Sequence, residues 1–375
     1  MSADGGLITL PLSSLTVRST ISSDHCFGAH DLYTFTVAGL DHNVDNPAVA
    51  TDQPFLINWD QRGSQPAYGY VAYAKPLHNP LDAAAIQCEV TGLGITSQFR
   101  QTRQRVWIED ISTIVSTICA DYRLNVIIDV EGAPAPRAQI VQPGISDWEF
   151  LNKLAADYGC VLFVRGVTVF FLTKSRVIDH AVANNEFRYI DLRGRFTPAV
   201  GAASTGGVRK EYVGTGIDMA TGSIIGMGTS NQFRPVASTV DKSYVTEYID
   251  RPAGENMARA DEIVSTHNER RRWYLSGVVV VDHDPTILPG MVVAIPPSPA
   301  SSPTQSGAWL VTSAKHRKGR KVSYTELEVS RDSRGSTGFV DRPVARSRNP
   351  YGTQVNVAPP AMMRNGLWTS SWRQA

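Results

Sequence analysis

The chain has 375 residues, which is long enough for two or three domains that each have their own core. Its hydrophobic content of 42%, charged content of 19% and formal net charge of +1 are typical of a globular protein and indicate no general attraction to nucleic acid or to a membrane surface. We find no apolar run of about 18 residues and no signal peptide at the start, so we expect no membrane anchor and folding in a reducing cytoplasm.

The charges and cysteines are distributed unevenly. Residues 1–100 contain four basic and nine acidic side chains, whereas residues 301–375 contain twelve basic and four acidic ones. This asymmetry fits either contact with different neighbours at the two ends or a scattered surface charge. The four cysteines form no CxxC pair, and Cys119 and Cys160 lie in apolar runs, so we expect buried, reduced thiols.

Residues 1–105 have the pattern of β-strands. Apolar and polar residues alternate, and Asn, Asp and Pro form turns between the runs. The predicted strands are residues 17–21, 33–37, 55–59, 67–74 and 86–91. Short strands at this spacing indicate a barrel or a sandwich.

The pattern then changes to a small α+β module. Apolar residues at helical spacing predict a helix over 111–122, with Glu109 and Asp110 at its positive N-terminal end. A strand follows over 125–130, and a proline-containing connector precedes the next helix.

The most regular stretch of the chain begins at Ser146. Ser146 and Glu149 have the spacing of a capping box, in which the serine side chain accepts a hydrogen bond from the Glu149 amide and the glutamate reaches back to the Ser146 amide. Gly159 provides the positive φ with which helices commonly end. The predicted apolar face of this helix consists of Phe150, Leu151, Leu154, Ala155 and Tyr158.

A hairpin is predicted directly after this helix. Its strands are residues 160–164 and 167–172, and Arg165-Gly166 forms the turn. We therefore interpret residues 106–180 as an α+β module inserted after the first β domain.

Strand signals return in residues 181–333, which we interpret as a second β domain. The predicted strands are residues 185–200, 208–213, 275–281, 291–295, 308–313 and 322–330, with a third helix over 255–272. The glycine-rich segment 194–228 lacks the pattern of a phosphate-binding loop, which favours turn glycines and a flexible hairpin. The basic triplet 270–272 fits the end of a helix better than a nucleic-acid patch.

Two groups of polar residues were weighed as sites of chemistry. The Asp-His-Asp run at 282–284 could hold an oriented imidazole, but Pro285 turns the chain there and neighbouring strand residues point apart, which favours a strand-end turn. His25, Cys26 and His30 could be metal ligands, but their spacing fits no standard zinc pattern. We therefore predict no catalytic residue, no metal and no cofactor.

The final segment, residues 334–375, has the composition of an extended arm. Pro, Gly, Ser, Asn and Arg dominate it without periodicity. A free chain end has little reason to expose two tryptophans, each of which can bury roughly 150–250 Å² against a partner. The residues that we predict to contact a partner are Trp368, Trp372, Arg346, Arg348 and Tyr351.

Three motifs occur in a recognisable order. They are the helix 146–159, SDWEFLNKLAADYG; the loop 285–293, PTILPGMVV; and the strand pair 310–329. Together they resemble the baseplate hub proteins of tailed phages, a group that includes the phage late control protein D family and the hub part of the type VI secretion spike. The residues that carry the resemblance are Ser146, Trp148, Glu149, Phe150, Leu154, Gly159, Pro289, Gly290 and His316.

The resemblance implies a fold and an assembly. The fold is α+β, mainly β, with tube-like β-barrel domains at 1–105 and 181–333, the module at 106–180 between them and the arm at 334–375. The assembly is a homotrimeric ring that adapts a sixfold tail tube to a threefold tip. No lysozyme-like or needle-like domain is recognisable, so we expect no enzymatic activity.

The implied partners are other tail proteins. They are the distal tail protein ring or tail tube, the tape measure protein, and the tip or spike and other baseplate proteins, with DNA only passing through the lumen during genome ejection. The implied location is the tail tip of the virion, after assembly in the bacterial cytoplasm. Two alternatives stay open: a tail-tip cell-wall hydrolase that uses His283 or His316, and a tail protein that binds host carbohydrate.

Overall fold

Strands predominate in the computed structural model of the chain. The structure describes residues 8–11, 21–38, 49–59, 67–77, 87–130, 139–184, 186–190, 196–200, 209–217, 224–226, 244–253, 266, 273, 275–295, 307–319 and 323–331. The first strands are β1 (Ile8–Pro11), β2 (Ile21–Cys26), β3 (Leu32–Ala38), β4 (Pro54–Asn58), β5 (Ala67–Leu77), β6 (Gln87–Gly94) and, after a 3₁₀ helix (Ile95–Arg100), β7 (Thr102–Trp107).

Helices and strands mix in the middle of the chain. The elements are α1 (Ile111–Asp121), β8 (Asn125–Asp129), β9 (Ile140–Ser146), α2 (Asp147–Asp157), β10 (Cys160–Arg165), β11 (Thr168–Thr173) and α3 (Lys174–Ala183). The later strands are β12 (Phe187–Tyr189), β13 (Phe196–Val200), β14 (Arg209–Ile217), β15 (Ile224–Gly226), β16 (Tyr244–Ala253), β17 (Leu275–Asp282), β18 (Val292–Ile295), β19 (Gly307–Lys318) and β20 (Ser323–Arg331). The chain is therefore α+β and mainly β, as the sequence predicts.

Strands from both ends of the described chain share one sheet. Its order is β1-β4-β5-β6-β3-β2-β19-β20-β17-β13, with β18 beside β19 and β12 beside β18. Among the described strands, the antiparallel β2–β19 pair alone connects the early strands to the late ones. The described order does not return to its first strand, so the two-barrel organisation stays a prediction.

Each group of strands in this sheet has its own apolar core. The early core contains Tyr33, Phe35, Val49, Phe55, Ile57, Trp59, Ala67, Val71, Cys88 and Val90. The late core contains Ile190, Val279, Ile287, Val293, Ile295, Trp309, Val311, Ala314, Leu327 and Val329. Burial in two separate clusters is what the predicted division into an early and a late β region requires.

The strands β8, β11 and β10 form a second sheet that is covered on both faces. Val169 and Phe171 lie in a core with residues of α1 and α2, whereas Phe170 and Leu172 lie in a core with α3 and Trp273. This explains why β11 is a continuous apolar run rather than an alternating one.

Helix α2 forms as predicted. The Ser146 Oγ accepts a hydrogen bond from the Glu149 amide at 3.2 Å, and the predicted apolar face is buried. Gly159, with φ of +67°, follows the helix end. The second half of the predicted capping box does not form, because the Glu149 carboxylate lies 3.4 Å from the Lys153 ammonium, one turn further along, and not at the Ser146 amide.

Helix α1 also forms as predicted, whereas the next elements differ in detail. Asp110 caps α1 by accepting from the Thr113 amide at 2.6 Å. Arg165 pairs with Thr168, so the hairpin loop is Gly166 and Val167, one residue later than the sequence predicts. The structure adds α3, which runs past the predicted end of the module at residue 180, and only a short apolar stripe marks this helix in the sequence.

Several sequence predictions concern residues outside the described ranges. Of the helix predicted over 255–272, the structure describes Thr266, which is helical. Residues 17–20, the basic triplet 270–272 and the arm from 334 lie outside the described residues. In the glycine-rich segment, β14 pairs antiparallel with β15, the next strand, so the predicted hairpin forms there, but Gly214 and Gly216 lie within β14, which also pairs with β16, and are not turn residues.

Candidate functional site

The hairpin of the module is fixed to the late strands by Arg165. Its Nε donates to the Pro289 carbonyl oxygen at 2.8 Å, and its Nη1 contacts the Glu186 carboxylate. The guanidinium also lies 5.4 Å from the Phe163 ring centroid and 5.1 Å from that of Phe170. Burial lowers the pKa of Arg165, and Glu186 opposes this shift, so the buried cation is held by its anion and by two aromatic faces.

The loop at Pro289 and Gly290 is built to accept this contact. Gly290 has φ of +83°, and a Cβ at this position would lie 2.6 Å from both Phe163 Cζ and Arg165 Nη2. Its amide donates to the Val311 carbonyl at 2.8 Å. Only glycine fits this position without strain, because the backbone is left-handed and the two side chains fill the space. We call the contact among Arg165, Glu186 and the 289–290 loop the arginine junction.

Helix α2 and the hairpin contact the turn after β2. The Gly28 amide donates to the Leu162 carbonyl at 2.6 Å, and the Phe27 amide donates to the Thr312 carbonyl at 3.1 Å. The His30 ring stacks on Trp148 with centroids 5.1 Å apart. The early strands, the module and β19 therefore meet at one place, and Trp148 of the helix motif lies in it.

A buried carboxylate organises the N-terminal end of α2. Asp147 is fully buried, and its Oδ2 accepts from the Tyr122 hydroxyl at 2.6 Å while its Oδ1 accepts from Gln142 Nε2 at 2.8 Å. Arg103 Nε lies 3.2 Å from Oδ2. The network connects β7, α1, β9 and α2, so this polar group orients the helices of the module.

His316 of the third motif lies in a histidine cluster that we define as the buried His25 and His316 and the half-buried His283. The ring centroid of His316 is 5.7 Å from that of His25 and 6.3 Å from that of His283. His316 is 1% exposed, and its Nδ1 lies 3.1 Å from the Thr325 Oγ1. Its partners come from β2, β20 and the turn after β17, so the motif residue sits where the early and late strands join.

The described side chains of the early strands do not form a metal-binding group. His25 Nδ1 pairs with the Asp31 carboxylate at 3.1 Å and His30 Nδ1 with the Thr96 hydroxyl at 2.7 Å, so two of the three candidate metal ligands, which the sequence analysis discounted, contact protein partners. No group of three His, Cys, Asp or Glu residues in the described ranges is arranged to hold a metal ion. Asp284 accepts from the Thr286 amide at 3.0 Å, which confirms the strand-end turn.

The cysteines are free thiols, as predicted. Cys119 and Cys160 are buried, and burial raises the pKa of the Cys119 thiol to about 12. A thiol of this kind stays protonated and is a poor nucleophile. None of the described helices is long and apolar enough to cross a bilayer.

One apolar surface of the module is exposed. Val106 of β7 pairs with Val141 of β9, and these residues are 61% and 49% exposed. Ile108, directly after β7, is 77% exposed. We call these three residues the apolar ribbon. Exposed apolar side chains that cluster in this way are common at protein–protein contacts.

The structure brings the sequence motifs together but adds residues that the sequence did not mark. Pro289 and Gly290 contact the hairpin that follows the helix motif. The five predicted partner-binding residues of the arm lie outside the described part of the chain, so their role stays a prediction. Arg165 was interpreted only as a turn residue, and Glu186 was not singled out, because their contacts join positions far apart in the sequence.

Comparison with known proteins gives similarity of structure without similarity of sequence. No family model matches the chain, and no curated protein matches it. A tail protein from Neisseria meningitidis superposes with a TM-score of 0.56 at 11% identity, covering 84% of this chain and 92% of that one. The 43 kDa tail protein of prophage MuSo2 from Shewanella oneidensis gives 0.52 at 12% identity, covering 83% and 93%.

A third similar structure comes from a secretion system. It is an E. coli component of the type VI secretion system, described as structurally similar to the T4 bacteriophage tail proteins gp27 and gp5. Its TM-score is 0.53 at 13% identity, and the match covers 84% of this chain and 74% of that one. The chain therefore has the fold of phage tail proteins and of a type VI secretion component, which confirms the resemblance at the level of the fold.

Proposed function

We propose that this chain is a structural hub protein of a phage tail tip or baseplate. The observation that carries the proposal is the shared fold, because each of three tail-type structures matches more than four fifths of this chain. Matches of this extent extend over both the large sheet and the α+β module, and they are not limited to one common substructure.

In the proposed assembly, three copies close into a ring. Each copy contributes two tube-like β domains, 1–105 and 181–333, so three chains offer six similar units to a sixfold tail tube. The ring surrounds the channel for the tape measure protein and DNA. Its other neighbours are the distal tail protein ring or tail tube and the tip or spike proteins, and the arm 334–375 binds one of them.

The geometry of the described residues supports a role in assembly. A ring of identical subunits needs subunits of fixed shape, and the arginine junction attaches the module to the late strands through a partly buried ion pair and a hydrogen bond from the Arg165 side chain to the Pro289 carbonyl. The apolar ribbon provides exposed apolar surface on the module. The acidic excess of residues 1–100 is compatible with a channel wall that repels DNA phosphates.

The hydrolase alternative has less support. His283 and His316 were its candidate residues, and the Nε2 atoms of both are buried without a hydrogen-bond partner. A general base must reach the proton that it abstracts, and these atoms do not face solvent. No described contact favours the carbohydrate-binding alternative over the structural role.

The proposal is tested by the symmetry of the assembled protein. We expect mass photometry of the purified chain to detect a trimer, and averaged electron micrographs to show a threefold ring with a central opening. Averaged images of tails should place the chain on the tail axis. A chain that is monomeric at all concentrations and lies off the axis would contradict the proposal, and degradation of peptidoglycan that is lost in H283Q would favour the hydrolase.

A further inference from the structure

The histidine cluster lies where the early and the late strands of the large sheet join. The β2–β19 pair is the one described pairing between the early and the late strands, with Ala314 opposite His25 and Ser23 opposite His316. Any change that separates β2 from β19 therefore divides the sheet between its two cores. We call this pair the seam.

The cluster is packed by aromatic rings and lacks hydrogen-bond partners at two nitrogens. The Trp59 ring centroid is 5.3 Å from that of His283 and 6.3 Å from that of His316, and Tyr33 contacts His25 edge-on at 5.5 Å. The Nε2 atoms of His283 and His316 are buried and have no partner. In a neutral imidazole one nitrogen can stay a bare acceptor, but a protonated ring has two N–H donors that both need acceptors.

The hydrogen bond at the other nitrogen of His316 does not depend on its tautomer. Its Nδ1 contacts the Thr325 hydroxyl, which also accepts from the Asp284 amide at 2.9 Å. Whichever tautomer is present, the protonated ring has an Nε2–H at a buried position where the described groups provide no hydrogen-bond partner. The protonated ring therefore carries both a buried charge and an unsatisfied donor.

The charged groups around the cluster offset that charge only in part. The titratable and charged groups that face it are His25 from β2, Asp31 from the turn before β3, Tyr33 from β3, Lys318 from β19, and His283 and Asp284 from the turn after β17. Asp31 is already paired with His25, and Asp284 accepts two hydrogen bonds from Thr286. Lys318 adds a further positive charge near His283.

We propose that the histidine cluster is an acid-sensitive lock on the seam: with neutral His283 and His316 rings it holds β2 against β19, and protonation of these two rings releases this pair before the rest of the fold opens. The inference concerns the fold and is independent of the proposed tail function. It predicts a local opening between the two groups of strands in mild acid.

The direction of the pH dependence follows from the environment of the rings. Burial, and then the neighbouring His25 and His283, lower the pKa of His316 well below its usual value, although the Ile287 backbone opposes this. Burial also lowers the pKa of His283, with Lys318 adding to the shift and Asp284 opposing it. The open state therefore binds protons more strongly, so the seam is fully stable above about pH 6.5 and loses stability as the pH falls.

The number of protons taken up on opening sets an upper limit on how strongly the opening equilibrium of the seam depends on pH. Each histidine with a lowered pKa changes the opening equilibrium by at most about tenfold per pH unit below about pH 6.5. Two such rings give at most about a hundredfold per unit. A local measurement is needed, because His30, outside the cluster, also has a pKa that burial lowers.

The test is native-state hydrogen exchange of the full chain between pH 7.5 and 5, corrected for intrinsic exchange rates. We expect protection of β2 and β19 to fall by about tenfold or more per pH unit below 6.5, and protection of β10 and β11 to change much less. H283Q and H316Q remove a titrating ring and should flatten the profile of β2 and β19. H180Q, which removes a histidine of α3 outside the cluster, should leave it unchanged.

Two results would contradict the proposed acid-sensitive lock. One is an equal loss of protection in β10–β11 and in β2–β19; the other is the same pH profile in the wild type and H283Q. Because H316Q alters a fully buried site and could fail to fold, NMR titration of the histidine rings in the wild type is the second measurement. A His316 ring that titrates near pH 6.5 with the seam still closed contradicts the inference.

Discussion

Replacement of Asp147 by Ala should loosen the module selectively. The carboxylate is fully buried and accepts hydrogen bonds from Tyr122 and Gln142, with Arg103 Nε 3.2 Å away. In D147A the Tyr122 hydroxyl loses this buried acceptor, which costs about 1–3 kcal/mol. Gln142 Nε2 still donates to the Ile145 carbonyl at 3.1 Å, and Arg103 still pairs with Asp121. These two residues therefore lose only part of their stabilising contacts.

Together, these contributions predict that D147A lowers the free energy of unfolding of the module by about 3 kcal/mol. This is the lower end of the range for breaking a buried ion pair. Because about 1.4 kcal/mol corresponds to a factor of ten, native-state hydrogen exchange should show protection of α1 and α2 reduced about a hundredfold. Early strands such as β3 and β6 should change less. Y122F removes only the hydroxyl donor, so we expect a smaller effect of about 1 kcal/mol.

The matched control for D147A is D129A. Asp129 is an exposed carboxylate of the same module, with Arg176 Nε at 3.5 Å and a side chain that is 53% exposed. A surface ion pair of this kind is worth about 0–1 kcal/mol. The reasoning is refuted if D147A loses less than about 1 kcal/mol, or if D129A destabilises the module as strongly as D147A does.

Three further predictions concern the motifs and the arm. S146A removes the side-chain cap of α2 and should destabilise the protein by about 1 kcal/mol in urea unfolding, whereas S146D should restore most of the loss. G290A should destabilise it by more than 1 kcal/mol, measured in the same way, because the new Cβ meets Phe163 and Arg165 at a left-handed backbone position; a neutral G290A would contradict the packing of the arginine junction. Deletion of residues 341–375 should leave the circular dichroism spectrum of the strands intact and reduce incorporation into tails in a complementation assay, and normal incorporation would show that the arm is not needed there.

The sequence alone was sufficient to predict the elements whose contacts are local and periodic. Most of helix α2 could be predicted, because its serine cap, apolar face and terminal Gly159 all lie within one short stretch, whereas Glu149 pairs with Lys153 and not with the Ser146 amide. Helix α3 was not predicted, because its buried residues, Val177 and Ala181, form only a weak apolar stripe. Thr173, whose Oγ1 accepts from the Arg176 amide at 3.4 Å, was the one capping signal available.

The candidate site could not be predicted in the same way. Arg165 and Pro289 are separated by 124 positions, and no periodicity connects an arginine in a hairpin to a carbonyl in a distant loop. His316 was recognised as a motif residue, but nothing in the sequence indicated that His25 and His283 pack beside it. A single sequence records which residues alternate, and it does not record which strands become neighbours.

The amino-acid sequence by itself determined the local elements of this protein, because burial of an apolar face imposes a period of 2.0 or 3.6 residues on any strand or helix that has one wet side. Only the tertiary structure decided that β2 pairs with β19, that the early and late strands share one sheet, and that Arg165 closes on the loop at Gly290. Those contacts depend on complementary shape and charge between segments far apart in the chain, and such complementarity leaves no repeat within either segment.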